Sequence, residues 1–441
     1  MKKIKLLLAP LGILLALSSL SPGFVFGVGL LDPDFGNEGK VVVPGFEEYL
    51  LDAALLPDHR VVIIGPKQLL ALLPSGEVDR GFGQWGQTQL SLPSGAKEAS
   101  FSLVLTDSQG RIVVVGACDF AESSGVHNLV EGRDLPRQIM IQRYLPDGKL
   151  DPSFGTGGTV LTDFGLPPSG PGFAPRVFPH NAEIDGQDRI LITGNYRAPA
   201  SEEIFVGRLS AGGEDDPSFA QDGVYTPSGY EWVGRPVTDK QDGVFFITSR
   251  GPHKRVLIHL AETGEPDSGF GDNGGRPVSG TVGLGSLGID AYGRITFFNQ
   301  LFGQRGRLPN GFRIRRLLPD GTLDRVFAEN APAVRVPRLY DWQTRTDDQG
   351  RILLAMELKN TAKRDRPPGL PVALGLMRLR ADGAPDRSFG AAGIVRIQFG
   401  GRSPEIHLVS LQVQGGEALL AGSRCVSRCQ SALARIRLNP S

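Results

Sequence analysis

One short phrase governs what this chain can fold into. Asp-x-x-Phe-Gly recurs seven times, starting at Asp32, Asp79, Asp151, Asp216, Asp267, Asp324 and Asp386. Ala220 and Ala328 stand in place of the Gly in the fourth and sixth copies. Successive starts are 47, 72, 65, 51, 57 and 62 residues apart. Turns such as Leu-Pro-Asp-Gly at 145–148 and 318–321 precede the phrase. Self-similarity at this period marks a stacked or closed repeat architecture.

Each unit reads as four short strands, A to D. In the second unit, Ala99–Asp107 leads into the turn Asp107-Ser-Gln-Gly110, and Arg111–Gly116 reads as a buried strand. Gln138–Pro146 alternates and ends at Asp147-Gly148, a tight-turn signal. Lys149–Phe164 carries the phrase and a last strand, Thr159–Thr162. No segment shows a sustained helical period. With about 59 residues per unit, this is the size of a propeller blade. The last unit stops at Leu438-Asn-Pro-Ser441, where a phrase is due, and Leu30–Val43 supplies that missing piece near the N-terminus. The expected fold is therefore all-β: a seven-bladed β-propeller of four-stranded antiparallel blades, closed by the N-terminal strand completing the last blade. Such closure removes the open edge that a solenoid would have to cap.

The phrase resembles the delta-60 repeat, a bacterial family in which Gly-x-x-Asp-x-x-Phe-Gly follows an Asp-Gly turn. Asp147-Gly-Lys-Leu-Asp151-Pro-Ser-Phe154-Gly155 is the best copy, and Asp382–Gly390 is close behind. The resemblance implies a β-propeller of exported or surface proteins and carries no activity with it.

The N-terminus reads as a secretory signal: basic Met1–Lys5, apolar Leu6–Leu20 interrupted by Pro10, and small residues permitting cleavage after Ser21 or Gly27. Residues 1–27 are expected to be removed and 28–441 to form one domain in the periplasm, on the surface or outside the cell. Fifteen interrupted apolar residues are short for a span, which needs about 20. No membrane span is expected after cleavage. Lys plus Arg and Asp plus Glu are both 47, so no basic excess suggests nucleic acid. The three Cys and six His show no zinc spacing, and no cofactor is expected. Cys425 and Cys429 are either a disulfide or two loop thiols; Cys118 has no evident partner.

The repeated Asp has the chemistry of a calcium ligand, but each copy supplies only one or two carboxylates. A structural role is the simpler expectation: Asp caps a turn, Phe inserts between blades, and Gly permits the backbone. Gly283-Leu-Gly285-Ser-Leu-Gly288 matches a dinucleotide fingerprint but leads into a strand and turn, not a helix.

Strand A of every blade converges on the axis, so polar and aromatic residues there are candidates for a central site. They are His180, Asn181 and Glu183; Trp232 and Arg235; Arg338, Tyr340, Asp341, Trp342 and Arg345; and His407. They either fill the channel or form a ligand site at its mouth. Length varies mainly in B–C loops (117–137, 299–310, 357–371) and one D–A connection (163–178), which belong on one face. A monomeric binding module for a protein or glycan on that face is the first expectation. A glycan hydrolase or lyase, or a purely structural protein, are the alternatives.

Overall fold

Alternating apolar strands separated by Asp- and Gly-rich turns pair with their neighbours along the chain, except in the last blade, and seven such sheets result. The structure, a computed structural model, describes residues 30–43, 46, 49–120, 137–168, 170, 174–251, 254–278, 281–282, 287–302, 309–331, 333–334, 342–359, 371–391, 393–400, 405–426 and 428–439. Blade 2 is typical: Ala96–Thr106, Ile112–Phe120, Arg137–Tyr144 and Thr159–Thr162, all antiparallel. Strand A is broken in blade 4 (Trp232–Val233 and Val237–Thr238) and in blade 5 (Thr281–Val282 and Gly288–Ile289). The sheets stand in a ring, and the fold is the expected seven-bladed β-propeller.

The last blade is composite. Glu405–Gln414, Glu417–Cys425 and Cys429–Arg437 come from the end of the chain, and Lys40–Val42 adds the outer strand, with Val41 opposite Leu433. Cys425 and Cys429 pair across that blade's B–C hairpin as a disulfide. Cys118 is buried and free, and burial pushes its thiol up to about 11.

Six of the seven phrases do one mechanical job, blade 4 being the exception. Each phrase Phe, from Phe35 to Phe389, is wholly buried. In five blades a strand-C arginine lies over that ring, its guanidinium carbon 4.4, 4.5, 4.2, 4.2 and 4.7 Å from the centroid for Arg143, Arg208, Arg316, Arg378 and Arg435. The same arginines pair with the phrase Asp, for example Arg208 with Asp216 at 2.7 Å and Arg435 with Asp32 at 2.6 Å. They also donate to a carbonyl in the next blade's C–D turn: Arg208 to Glu262 at 2.7 Å, Arg435 to Pro74 at 2.7 Å, and Arg316 to Ala381. The other Asp oxygen caps its own turn, accepting from Ser218 N–H at 3.0 Å in the fourth phrase. This clasp joins blade to blade, and it occupies the carboxylates that could have served a metal. In blade 1, Ala71 holds the arginine position, and Arg60 from the A–B turn covers both Asp79 (3.0 Å) and Pro146 O (2.9 Å).

The two variant phrases part ways. Ala220 keeps the left-handed turn at φ 48°, a conformation that strains a residue with a Cβ. The sixth copy instead runs into the short helix Arg325–Asn330, capped by Asp324. Here the chain stays in the right-handed conformation through Ala328, and the left-handed turn is absent. This helix has too few turns to show a period in the sequence.

A–B and C–D turns share one face, where Ser108 N–H donates to Asp188 at 2.8 Å between neighbouring A–B turns. The up-and-down order puts B–C and D–A connections on the opposite face. The segment expected to be a signal (1–27) and most of the long loops (121–136, 169, 171–173, 303–308, 360–370) lie outside the described residues.

Two measurements test this frame. A chain starting at residue 46 should lose more than about 3 kcal/mol relative to one starting at residue 28, because it forfeits the Asp32–Arg435 pair and a strand; equal melting curves would exclude strand-mediated closure. Acid should loosen the clasps. Burial opposes charge on Asp32, Asp151, Asp216, Asp324 and Asp386, but N–H and guanidinium donors outweigh it and hold all five below the ordinary carboxylate value. A depressed folded pKa stabilises fully above the unfolded value and is lost as pH falls through the folded one. The melting temperature should therefore hold from neutral pH to about 5 and fall steeply below about 4.

Candidate functional site

Strand A carries a device that re-aims its side chains. In blades 2, 3 and 7 its pairing with strand B shifts by one residue, between Phe101 and Leu103, Pro179 and Asn181, and Leu408 and Ser410. A glycine of strand B faces each bulge. A Cβ on Gly194 would stand 2.1 Å from Phe178 O, so only glycine admits the close approach. The extra residue in blade 3 is His180.

His180 meets Trp232 of blade 4 with ring centroids 6.1 Å apart and planes tilted by 47°. Trp232 is 53% exposed. Its backbone is fixed nonetheless: it pairs with Ser249, its carbonyl accepts from Thr248 Oγ1 at 2.5 Å, and the neighbouring Glu231 carbonyl accepts from Asn195 Nδ2 at 3.1 Å. His180 keeps an open face, yet the protein packed around its ring lowers its pKa, against the opposing pull of Glu202. Asn181 is half-buried beside it. Further along, Arg235, in the break of strand A of blade 4, grips Glu183 of blade 3, with Nε and Nη2 at 2.8 and 2.5 Å from one carboxylate oxygen. Trp232–His180 and Arg235–Glu183 are thus two cross-blade pairs between blades 3 and 4.

Elsewhere polar strand-A side chains stitch one blade to the next. Gln343 bonds Val409 O and Leu411 N–H, Gln412 bonds Ala53 O, and Asp52 accepts from Val104 N–H at 3.2 Å. Burial raises the Asp52 pKa; bonds from Ser410, Val104 and Ala53 and the charge of Arg235 only partly offset it. Asp52 was not among the expected site residues. A lone Asp before an apolar strand gives no sign that it faces an axis.

Other expected residues fall apart from these pairs. Trp342 is 9% exposed within the hydrophobic cluster of blades 5 and 6, alongside Phe298, Phe312 and Met356. That packing corrects its expected place at the channel mouth. Arg345 is half-buried and donates to Thr344 O at 2.8 Å. His407 lies 3.5 Å from Glu357 and 3.7 Å from Glu405 on blades 6 and 7. Arg338, Tyr340 and Asp341 lie outside the described residues. Among the described residues no cluster of His, Cys, Asp and Glu is arranged to hold a metal, and no helix is long and apolar enough to cross a membrane.

No family model and no curated protein sequence matches the chain. Several solved structures are similar in fold. A catalytically inactive virginiamycin B lyase from Staphylococcus aureus, with quinupristin, is 11% identical with a TM-score of 0.44, over 90% of this chain and 98% of that one. A polysaccharide lyase is 8% identical with a TM-score of 0.48, over 95% and 94%. A Trypanosoma rangeli sialidase with the inhibitor DANA is 10% identical with a TM-score of 0.42, over 91% of this chain and 60% of that one. Likeness at this level bears on neither reaction nor ligand.

The His180–Trp232 contact makes a direct prediction. His180 should titrate below 6.5, its ordinary value, and Trp232→Ala should move the midpoint back up by admitting water to the ring. Imidazole NMR reads both; an unchanged midpoint in the variant would show that Trp232 does not shape this site.

Proposed function

We propose that the protein is an exported binding module that takes a polar, ring-bearing ligand, such as a segment of glycan, at the mouth formed by blades 3 and 4. The observation that carries this is Trp232: a large aromatic face left half open, on a backbone locked by its neighbours, beside His180 and on the same two blades as the Arg235–Glu183 pair. An aromatic plane stacks on the apolar face of a sugar ring, while fixed charged groups direct hydrogen bonds to its hydroxyls. Rigid placement limits the ordering cost of binding. The basic and apolar N-terminal segment and the Cys425–Cys429 disulfide support export, and the delta-60-like phrase supports the same setting.

One observation favours a second reading, a glycan-acting enzyme. Asp52 holds its proton more tightly than an ordinary carboxyl, and the charge of Arg235 reaches it. A carboxyl that keeps its proton within reach of a guanidinium is the raw material of acid–base chemistry.

Glycan-array screening followed by titration of the best ligand tests both. Trp232→Ala should weaken binding by at least about tenfold, the loss of one desolvated aromatic contact. Unaltered binding would remove the blade 3–4 mouth from consideration. Turnover of the bound glycan that disappears in Asp52→Asn, with binding retained, would replace the module reading with the enzymatic one.

A further inference from the structure

Blade 4 breaks the pattern of its neighbours on the turn face, opposite the mouth described above. In blades 2, 3, 5 and 6 two arginines lie together there, one opening strand B and bonded to the A–B turn Asp, the other on strand C and bonded to the phrase Asp. Blade 3 shows the arrangement: Arg189 with Asp185 at 2.7 Å, and Arg208 with Asp216 at 2.7 Å. In blade 4 the register places Gly243 at the first position and His259 at the second, paired opposite Phe245. Both guanidinium groups are missing, and both carboxylates, Asp239 and Asp267, remain.

The two replacements depend on each other. A Cβ on residue 243 would stand 2.5 Å from His259 Nε2, so the imidazole occupies space that any side chain at 243 would need. His259 stacks on Phe245, centroids 3.8 Å apart, and meets Phe270 edge-on at 5.5 Å. An imidazole is shorter than an arginine side chain, so the outer end of the arginine slot stays open. The result is a pocket of about 540 Å³, lined by Asp239, Asp267, His259, Glu262, Pro319 and Tyr292 among others.

The polar groups inside are under-used. His259 is only 8% exposed; Asp267 lies 2.9 Å from Nδ1 and Asp239 3.6 Å from Nε2, but neither contact has good hydrogen-bond geometry. Although burial opposes charge on Asp239, the imidazole helps hold that carboxyl below its ordinary value. Pro319 holds the C–D turn position whose carbonyl, as Ala211, Glu262 or Pro74, accepts from the arginine of the preceding blade. Tyr292, 74% exposed and already approached by Arg294 at 5.0 Å from the ring centre, adds an aromatic ring at the rim. Lys240 also lines the pocket, and Glu262 is already approached by Arg189 at 3.6 Å. Two carboxylates, a carbonyl and an aromatic plane are the complement of a planar, forked cation.

We propose that this pocket binds a guanidinium group supplied from outside the chain, completing in blade 4 the contacts that arginines make in its neighbours. The group can come from a small guanidine or from an arginine side chain of a peptide; the recognition chemistry is the same. The site shares no residue with the blade 3–4 mouth and does not rest on the function proposed for it.

The test uses the folded full chain and the imidazole NMR signals of its six histidines. Methylguanidinium, at concentrations too low to denature, should move the His259 signals saturably and leave the rest unmoved. Methylammonium should bind about tenfold more weakly, as loss of one charged hydrogen bond implies. Asp267→Asn should abolish the response. A Gly243→Arg, His259→Arg double variant, which restores the repeat, should bind no methylguanidinium when followed by calorimetry and should melt at a higher temperature than the parent. Tighter binding of a capped Gly-Arg-Gly peptide than of methylguanidinium would identify a peptide as the source, and equal binding a small guanidine. No saturable shift at His259, equal binding of methylammonium, or undiminished binding in the double variant would overturn the proposal.

Discussion

The Arg–Asp–Phe clasp is the interaction on which the ring depends. A propeller blade buries its two faces only against other blades, so something must fix the angle and spacing between sheets. Here one arginine satisfies three demands at once. It neutralises the phrase Asp, covers the buried phrase Phe, and reaches a backbone carbonyl of the next blade. A buried guanidinium without these partners would be strongly destabilising, so the clasp selects one inter-blade geometry. Burial lowers the pKa of Arg208, Arg316 and Arg378, yet guanidinium stays protonated at any ordinary pH.

Much of this architecture was legible in the residues. Seven phrases gave the blade count, Asp-Gly turns gave the strand ends, and the missing eighth phrase pointed to closure by Lys40–Val42. The arginine of the clasp was not legible, because it lies eight residues upstream of its Asp on another strand, as with Arg143 and Asp151. Only strand pairing brings the two together. For the candidate site, His180, Trp232 and Arg235 were identified from the convergence of strand A on the axis, and the structure sets His180 beside Trp232. Trp342 was misplaced because an aromatic at the start of a strand reads the same whether it faces a channel or a neighbouring sheet. Asp52 was missed for the converse reason: burial raises its pKa, and the groups that bond it there, Ser410 and Val104, are remote in sequence.

Departures from the repeat are more informative than the repeat itself. Where blade 1 loses its strand-C arginine, Arg60 restores both polar contacts from the A–B turn. Where blade 4 loses two, the shorter His259 stands against both carboxylates, and a pocket remains beyond it. The same logic holds for backbone: Ala220 keeps a strained turn, whereas Ala328 gives way to a helical one. A framework with seven near-equivalent positions tolerates one altered position because the other contacts continue to define the ring.

The closing pair also sets an order of events. Asp32 and Arg435 are 403 residues apart, whereas the other clasps join residues within one blade or to the next. Bringing such distant ends together in an unstructured chain costs roughly 5 kcal/mol of loop entropy. Once six blades have formed locally, that span is already folded and little of this penalty remains. The N-terminal strand, the first part of the blade array to be synthesised, is therefore the last to dock. Until then the outer edge of blade 7, along Cys429–Arg437, is an unpaired strand that another copy of Lys40–Val42 could occupy. The closure that protects the finished ring makes its immediate precursor open to exchange of that strand between molecules.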